Sequence, residues 1–242
     1  MTPPELWELP LPPPPRPAGR VELDVGATVL TGYAADRAAA LMASIHAIGA
    51  AAPFRRMVTP RGWRMSVAMT NCGAAGWVTD KTGYRYTAED PLTSQPWPPI
   101  PQEFAMLARE AAREAGFAAF SPDACLINRY EPGARMSLHQ DKDERDMGAP
   151  IVSVSLGLPA LFLWGGKKRS DRPRRIPLLH GDVVVWGGPS RLIFHGVHAL
   201  PAGVHPLTGA LRYNLTFRKA GCAPAARRIL WSVRPDRSHS TL

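Results

Sequence analysis

The chain has 242 residues and a mass of 26.3 kDa, which is the size of one large domain or two small ones. Hydrophobic residues make up 45% and charged residues 20%, so the chain can fill a core and disorder of its bulk is excluded. Basic residues outnumber acidic ones by 29 to 20, and the resulting net charge of +9 favours polyanionic partners without indicating a fold.

The cysteines and the apolar segments indicate in which cellular compartment the protein is expected. Cys72, Cys125 and Cys222 are far apart and form no CxxC pair, so we expect neither a disulfide framework nor a thiolate zinc site. The start of the chain has no basic leader with an apolar core. An uncharged Ala-rich run, residues 38–54, contains Ser, His, Gly and Pro, which disfavour a membrane span. We expect a soluble, cytoplasmic protein that does not associate with membranes.

The two ends of the chain differ in composition from its middle. Residues 1–20 contain the unbroken proline run 12–15 and predict an extended, disordered head that cannot join a core. Residues 220–242 predict a basic tail, which is usually solvated and only in a minority of cases binds phosphate. Between them we expect one domain over residues 21–219.

Two helices are predicted in the first half of this domain. An Ala-rich helix over residues 34–51 ends before a proline, and an amphipathic helix over residues 102–115 ends at a glycine. Short β-rich runs bounded by Gly and Pro follow. The predicted strands are residues 124–130, 136–141, 151–157, 161–164, 182–186, 192–195 and 211–218. Seven strands without intervening helices predict a mainly β protein, an antiparallel sandwich or jelly roll with flanking helices.

A candidate metal site begins in the stretch MSLHQDKDE. On a strand, His139 and Asp141 lie two residues apart and face the same side, although an HxD pair alone is usually a surface pair. His195 follows at the end of another predicted strand, in RLIFHG. Two histidines and one carboxylate form the facial triad of non-haem Fe(II) oxygenases, and the same set suits Zn²⁺. The ligands alone do not choose the metal.

The last predicted strand alternates perfectly between polar and apolar residues. Arg212, Asn214, Thr216 and Arg218 share one face, and apolar side chains fill the other. An ordinary half-buried strand with its polar face in water explains this pattern as well as a binding site does. Arginine is suited to bidentate carboxylate binding in a buried site, so Arg212 is a candidate to hold an acid that also binds the metal.

Several continuous stretches resemble the AlkB family of Fe(II)- and 2-oxoglutarate-dependent dioxygenases, in particular the bacterial alkylation-repair dealkylases. They are PFRRMVTP, MSVAMTNCG, PDACLINRY, SLHQDKDE, APIVSVSLGLPA, HGDVVVWGG and RYNLTFR. The resemblance covers roughly residues 20–219. It implies a double-stranded β-helix (jelly-roll) core at about residues 120–219 and a nucleotide-recognition lid at about residues 55–90.

The resemblance also implies the iron site and the co-substrate site. The implied iron ligands, which are also the catalytic residues, are His139, Asp141 and His195. His195 is favoured over His198 because the family pattern places the ligand directly before a glycine. The implied contacts of 2-oxoglutarate are Asn128, Tyr130, Arg212, Asn214 and Arg218, with Arg212 at the distal carboxylate. With O₂, the implied reaction converts 2-oxoglutarate to succinate and CO₂ and removes an N-methyl group as formaldehyde.

Aromatic and basic residues alternate between residues 57 and 86, a pattern typical of stacking an extruded base and following its phosphates. A hairpin that packs its own aromatics explains the pattern as well. The resemblance implies substrate contacts at Trp77, Tyr84, Asp143 and Arg169. A carboxylate at Asp143 suits N1-methyladenine and N3-methylcytosine because both bases are cationic.

The favoured interpretation is an oxidative demethylase of N-alkylated bases in single-stranded DNA, with RNA as a further candidate, that acts as a monomer. Three alternatives stay open: a related oxygenase acting on RNA marks, protein or lipid, a non-catalytic nucleic-acid-binding protein, and a zinc hydrolase. The matches at Trp77, Tyr84 and Asp143 disfavour the first, and an intact triad with both arginines disfavours the second. The third leaves RYNLTFR unexplained.

Overall fold

A computed structural model describes residues 16–221. The head expected over residues 1–20 lies outside the described residues up to residue 15, and the tail expected over residues 220–242 lies outside them from residue 222 on, with Cys222. Among residues 16–221, no helix is long and apolar enough to cross a membrane.

The described chain is built mainly from strands, as the sequence predicted, with two α-helices. The strands are β1 (Gly19–Asp24), β2 (Ala27–Thr31), β3 (Ala68–Gly73), β4 (Gly76–Asp80), β5 (Gly83–Thr87), β6 (Ala124–Tyr130), β7 (Met136–His139), β8 (Ile151–Gly157), β9 (Ala160–Trp164), β10 (Arg174–Leu178), β11 (Val183–Trp186), β12 (His195–Val197) and β13 (Arg212–Arg218). The helices are α1 (Ala38–Ala51) and α2 (Gln102–Glu114), and short 3₁₀ turns cover Ala35–Arg37 and Gly188–Ser190.

The strands form two main sheets and one hairpin, and all of their pairings are antiparallel. The larger sheet has seven strands in the order β1-β2-β11-β8-β13-β6-β3, and the smaller has four in the order β10-β9-β12-β7. Strands β4 and β5 pair only with each other in a separate hairpin, within the expected lid region. The sheets form a jelly-roll core, and the larger one extends beyond the expected 120–219 region because β1, β2 and β3 join it.

The helices pack on the apolar face of the larger sheet. Helix α2 buries a stripe that begins at Phe104 and Leu107, and the Phe104 ring meets Phe217 of β13 edge to face at 5.9 Å between centroids. Burial of each such side chain stabilises the fold by about 1.5–3 kcal/mol. The apolar residues of β13 therefore face the helices, and its polar residues face the opposite side, toward the smaller sheet.

Two predicted strands near the candidate site have different bounds in the structure. The strand expected over residues 136–141 ends at His139, so Asp141 lies in the loop beyond it. The strand expected over residues 192–195 begins only at His195, because the 3₁₀ turn before it continues and the Ile193 N–H donates to the Ser190 carbonyl. The predicted helix over residues 34–51 begins as a 3₁₀ turn, and Ala115 caps α2.

Candidate metal centre

The two candidate histidine ligands face each other across neighbouring strands. His139, the last residue of β7, lies opposite His195, the first residue of β12, and their ring centroids are 4.4 Å apart. Donor atoms of His139, Asp141 and His195 all lie within 4.8 Å of one another. The fold therefore brings His195 close to His139 and Asp141, which lie far from it in the sequence. His198 is not part of this cluster.

Backbone carbonyls orient both imidazole rings. Nδ1 of His139 lies 2.8 Å from the Ser137 carbonyl oxygen, and Nδ1 of His195 lies 3.0 Å from the Ile193 carbonyl oxygen. Because a carbonyl only accepts, each Nδ1 carries the proton and each Nε2 keeps its lone pair for a cation. The Nε2 atoms of His139 and His195 lie 3.7 and 3.8 Å from the Asp141 carboxylate oxygens. Burial lowers the pKa of His195 to about 4, which favours the neutral ring that a metal needs.

The close approach of strand β7 explains why a glycine, Gly196, follows the second histidine. A Cβ atom at Gly196 would lie 2.6 Å from the Met136 carbonyl oxygen and 3.1 Å from the Ser137 carbonyl carbon. These are backbone atoms of the neighbouring strand β7, which cannot move aside as a flexible side chain would. Any larger residue at position 196 would push β12 away from β7 and separate the two imidazoles.

Two buried arginines hold Asp141 in place. Arg218 donates from Nε and Nη2 to Oδ2 of Asp141, at 3.0 and 2.8 Å, and Arg191 donates from Nη1 to the Asp141 backbone oxygen at 2.6 Å. Burial alone would raise the pKa of Asp141, but the charge and the hydrogen bonds of the Arg218 guanidinium outweigh it and hold the pKa well below its usual range. Asp141 is therefore an ionised carboxylate at neutral pH.

Sequence reasoning missed a second acid behind Asp141. Glu144 is buried, contacts Arg218 at 3.3 Å and Arg191 at 3.0 Å, and accepts a 2.6 Å hydrogen bond from the Tyr86 hydroxyl of β5. Glu144 thus links the hairpin to the loop that carries Asp141. The residue stands within the SLHQDKDE stretch, but nothing in its position distinguishes it from a solvated acid, and Arg191 lies alone in a turn.

A small cavity of about 50 Å³ lies between the sheets beside the histidines. All five residues that the resemblance implies as co-substrate contacts line it: Asn128, Tyr130, Arg212, Asn214 and Arg218. The polar face of β13 is buried along its whole length, so the alternative of a polar face in water is wrong. The strand presents its charges to an interior cavity.

Arg212 is a buried cation with an incomplete set of partners. It is 1% exposed, and it donates to Oγ of Ser155 at 2.9 Å and to the Leu158 carbonyl at 3.5 Å. Within residues 16–221, its Nε has no hydrogen-bond partner, and no carboxylate lies within 4.0 Å of its nitrogens. Burial lowers the pKa of Arg212 to about 10, because the charge is poorly compensated. A small acid in the cavity would complete this site.

The residues present fit Fe(II) and a chelating acid. Two imidazoles and one carboxylate leave room for further ligands on a borderline cation, and Arg212 supplies the countercharge for a carboxylate at the other end of the cavity. The oxygen atom Oδ1 of Asn128 is also buried without a partner among the described residues, which leaves a second polar atom for a ligand to satisfy.

A larger cavity of about 760 Å³ opens above the histidines. The implied substrate residues Trp77, Tyr84, Asp143 and Arg169 all line it, as do Met69, Met136 and Leu138. Trp77 and Tyr84 stack at 5.7 Å between ring centroids with 18° between their planes, and the Trp77 indole N–H donates to Asp143 at 2.8 Å. The two cavities share four lining residues, Leu126, Met136, His139 and Arg218, so they meet at the metal cluster.

The jelly-roll core, the histidine–aspartate–histidine cluster and the buried arginine together define a class of oxygenase. Residues 26–218 match the family model of the 2OG-Fe(II) oxygenase superfamily. The chain belongs to this superfamily, whose members are dioxygenases that use Fe(II), 2-oxoglutarate and O₂.

Within this superfamily, the chain is similar to proteins named AlkB. The alpha-ketoglutarate-dependent dioxygenase AlkB of Salmonella typhimurium is 61% identical over 195 residues, which cover 81% of this chain and 90% of the relative. The protein of the same name from Escherichia coli is 59% identical over 199 residues, which cover 82% and 92%. Among solved structures, OsALKBH1 aligns with a TM-score of 0.73 at 30% identity and covers 83% of this chain and 100% of that one.

Proposed function

We propose that this protein is an oxidative demethylase of N-alkylated bases. Its substrates would be N1-methyladenine and N3-methylcytosine in single-stranded DNA, and RNA would be a second substrate. The observation that carries the proposal is the meeting of the two cavities at one metal cluster, because the small one suits an acid and the large one suits a base. Similarity to the two bacterial AlkB proteins supports the same activity.

The small cavity would hold iron and 2-oxoglutarate. His139, Asp141 and His195 would bind Fe(II), and Arg212 would pair with the distal carboxylate, with Asn128, Tyr130 and Asn214 along the cavity wall. Arg218 would keep Asp141 ionised and face the nearer end of the co-substrate. When bound, iron and 2-oxoglutarate would activate O₂, so that one oxygen atom converts an N-methyl group to N-hydroxymethyl and the other enters succinate, with release of CO₂.

The large cavity would hold the target base over the metal cluster. Trp77, braced by Tyr84 and by its hydrogen bond to Asp143, offers a flat face for stacking. The Asp143 carboxylate would favour a cationic methylated base over a neutral one, and Arg169 at the cavity wall would contact a phosphate. The C–N bond of the hydroxymethyl group then breaks and leaves its electron pair on the base nitrogen, the hydroxyl proton passes to water, and the carbon departs as formaldehyde.

A single chain would carry out the reaction. The metal cluster and the lining of both cavities come from residues of one chain, so we propose that the protein acts as a monomer. Sedimentation of the iron-loaded protein at working concentration should give the mass of one chain.

One assay tests the proposed function. The iron-loaded protein is incubated with 2-oxoglutarate and a single-stranded oligonucleotide that carries one N1-methyladenine, with and without O₂. We expect oxygen-dependent loss of one methylene unit of mass, with equimolar formaldehyde and succinate, and no reaction by the Asp141→Ala variant. Succinate without demethylation would indicate an oxygenase with another substrate. Demethylation without O₂ would contradict the oxygenase mechanism and support the zinc alternative.

A further inference from the structure

A tight turn at the rim of the large cavity carries the most exposed aromatic side chain among the large hydrophobic residues of the described chain. We call residues 59–64 the rim turn. Trp63 is 73% exposed, although the backbone around it is well bonded. The Thr59 N–H donates to the Trp63 carbonyl at 2.9 Å, and the Trp63 N–H donates to Oγ1 of Thr59 at 3.2 Å. A fixed turn therefore presents an indole to solvent.

The rim turn lies between two concave surfaces. Trp63, Arg64, Met65 and Ser66 line the large cavity on one side. Arg64, Met65 and Ser66 also line a separate groove of about 330 Å³, together with Arg56 and the loop at residues 131–134. A strand that placed one nucleotide in the large cavity would therefore find a continuous path past the rim turn into this groove.

The charge of the rim turn suits a polyanion. Arg61 and Arg64 are exposed and, among the described residues, form no ion pair with a carboxylate. Arg56, by contrast, is already paired with Glu131 at 2.7 Å, so its charge is less available to a polyanion than the charges of Arg61 and Arg64. Exposed arginines beside an exposed tryptophan are typical of surfaces that bind single-stranded nucleic acid by stacking and phosphate contact.

We propose that the rim turn is a second nucleotide site. Trp63 stacks on the base adjacent to the target base, and Arg64 binds the phosphate between that nucleotide and the next, which enters the groove. This inference rests on the proposed function, since it assumes that a target base occupies the large cavity. The inference goes beyond the proposed function because it assigns Trp63 and Arg64 to the nucleotide next to the methylated one. The enzyme would then distinguish a strand from a single nucleotide.

The test compares two substrates of different length. Demethylation is measured on N1-methyladenosine 5′-monophosphate and on a heptanucleotide with one central N1-methyladenine. We expect Trp63→Ala to lower kcat/KM on the heptanucleotide by about fivefold to fiftyfold, with little change on the mononucleotide. Trp63→Phe keeps an aromatic face and should lose less than about threefold on either substrate. Leu92→Ala is the matched control, because Leu92 is 59% exposed and lines neither the large cavity nor the groove.

A binding measurement separates this inference from the proposed function. Anisotropy of a fluorescein-labelled, unmethylated heptanucleotide is followed against salt concentration with the metal-free protein. Arg64→Gln should reduce the slope of log K against log salt by about 0.7, the value for one phosphate contact on a single strand, and the exposed helix variant Arg109→Gln should not. Absence of demethylation by the wild type would contradict the proposed function while leaving this binding result intact.

Three outcomes would overturn the inference. Equal losses on both substrates in Trp63→Ala would show that the tryptophan supports the cavity rather than a second nucleotide. Unchanged kcat/KM on the heptanucleotide would show that the indole makes no contact with the strand. A wild-type dimer that dissociates on Trp63→Ala substitution, observed by sedimentation, would assign the exposed indole to a second copy of the chain.

Discussion

Replacement of Arg212 by Met separates binding of the co-substrate from stability of the fold. Methionine has a similar length and no charge, so Arg212→Met removes the countercharge without opening a large hole. Burial lowers the pKa of Arg212 from its ordinary value to about 10, which corresponds to a penalty of about 3 kcal/mol for keeping the charge inside the protein. We therefore expect the metal-free variant to be as stable as the wild type, or more stable by about 1–3 kcal/mol.

The same variant should bind 2-oxoglutarate poorly. Removal of one partner from a buried ion pair costs about 3–5 kcal/mol, so the dissociation constant should rise at least about a hundredfold. Urea unfolding measures the stability. Calorimetric titration of 2-oxoglutarate into protein loaded with Mn(II), which does not turn over, measures the affinity.

Arg191→Met is the matched control for this experiment. Arg191 is equally buried, but it is fully engaged by Glu144 and by the carbonyls of Asp141 and Ala149. Its loss should lower the free energy of unfolding by about 3 kcal/mol, because it leaves charged and polar groups without partners. If Arg212→Met were destabilised as much as Arg191→Met, or if its affinity for 2-oxoglutarate fell less than tenfold, the assignment of Arg212 as an unpaired cation awaiting an acid would be refuted.

Three further perturbations probe other parts of the molecule. Asp141→Ala should bind less than a tenth of the wild-type iron and form no succinate, as measured by metal analysis and product assay; wild-type iron content would contradict the assignment of this ligand. Trp77→Ala should lower kcat/KM on the methylated oligonucleotide by about tenfold, in line with the loss of one stacked base, while the slow decarboxylation of 2-oxoglutarate without substrate continues; loss of both would show that the lid is part of the catalytic core. Burial and the adjacent His205 lower the pKa of His180 to about 4, below its unfolded value of 6.5. Between these pH values the unfolded chain binds a proton that the folded chain does not, so the stability of the fold decreases as the pH drops from 6.5 toward 4. His180→Asn, which can still accept the Gly157 N–H, should show a smaller loss of stability between pH 7.5 and 5 in urea titrations, and an unchanged loss would mean that His180 is not the group responsible.

The sequence predicted strands where apolar alternation is strong and failed where polar residues or turns intervene. Strands β6 and β8 have the predicted bounds, since each is an apolar run bounded by turn residues. Strand β10, with the sequence RRIPL, was not predicted because it lies within a basic stretch and contains a proline, and only its pairing with β9 makes it a strand. Long-range pairing of this kind leaves no local signal in a single sequence.

The sequence indicated the candidate ligands of the site but not the buried residues that hold those ligands in place. Residue type and pattern made His139, Asp141, His195 and Arg212 candidates, because metal ligands and a carboxylate clamp need particular residue types, and the fold brings the first three together. Glu144 was missed because its function depends on burial between Arg191, Arg218 and Tyr86, and the sequence does not show burial of an acid in a polar loop. The spacing argument for Asp141 also needed revision, since the residue lies beyond the strand and two arginines set its position.

The position of the two histidines has a consequence for the mechanical integrity of the smaller sheet. Strand β7 is its outermost member and has only four residues, and its neighbour β12 has three. A cation bound by His139, His195 and Asp141 would link this short edge strand to its neighbour β12 and to the loop that follows β7. Binding of iron and local order of β7 would then be coupled, so withdrawal of the metal would loosen the part of the large cavity where we propose that the target base binds.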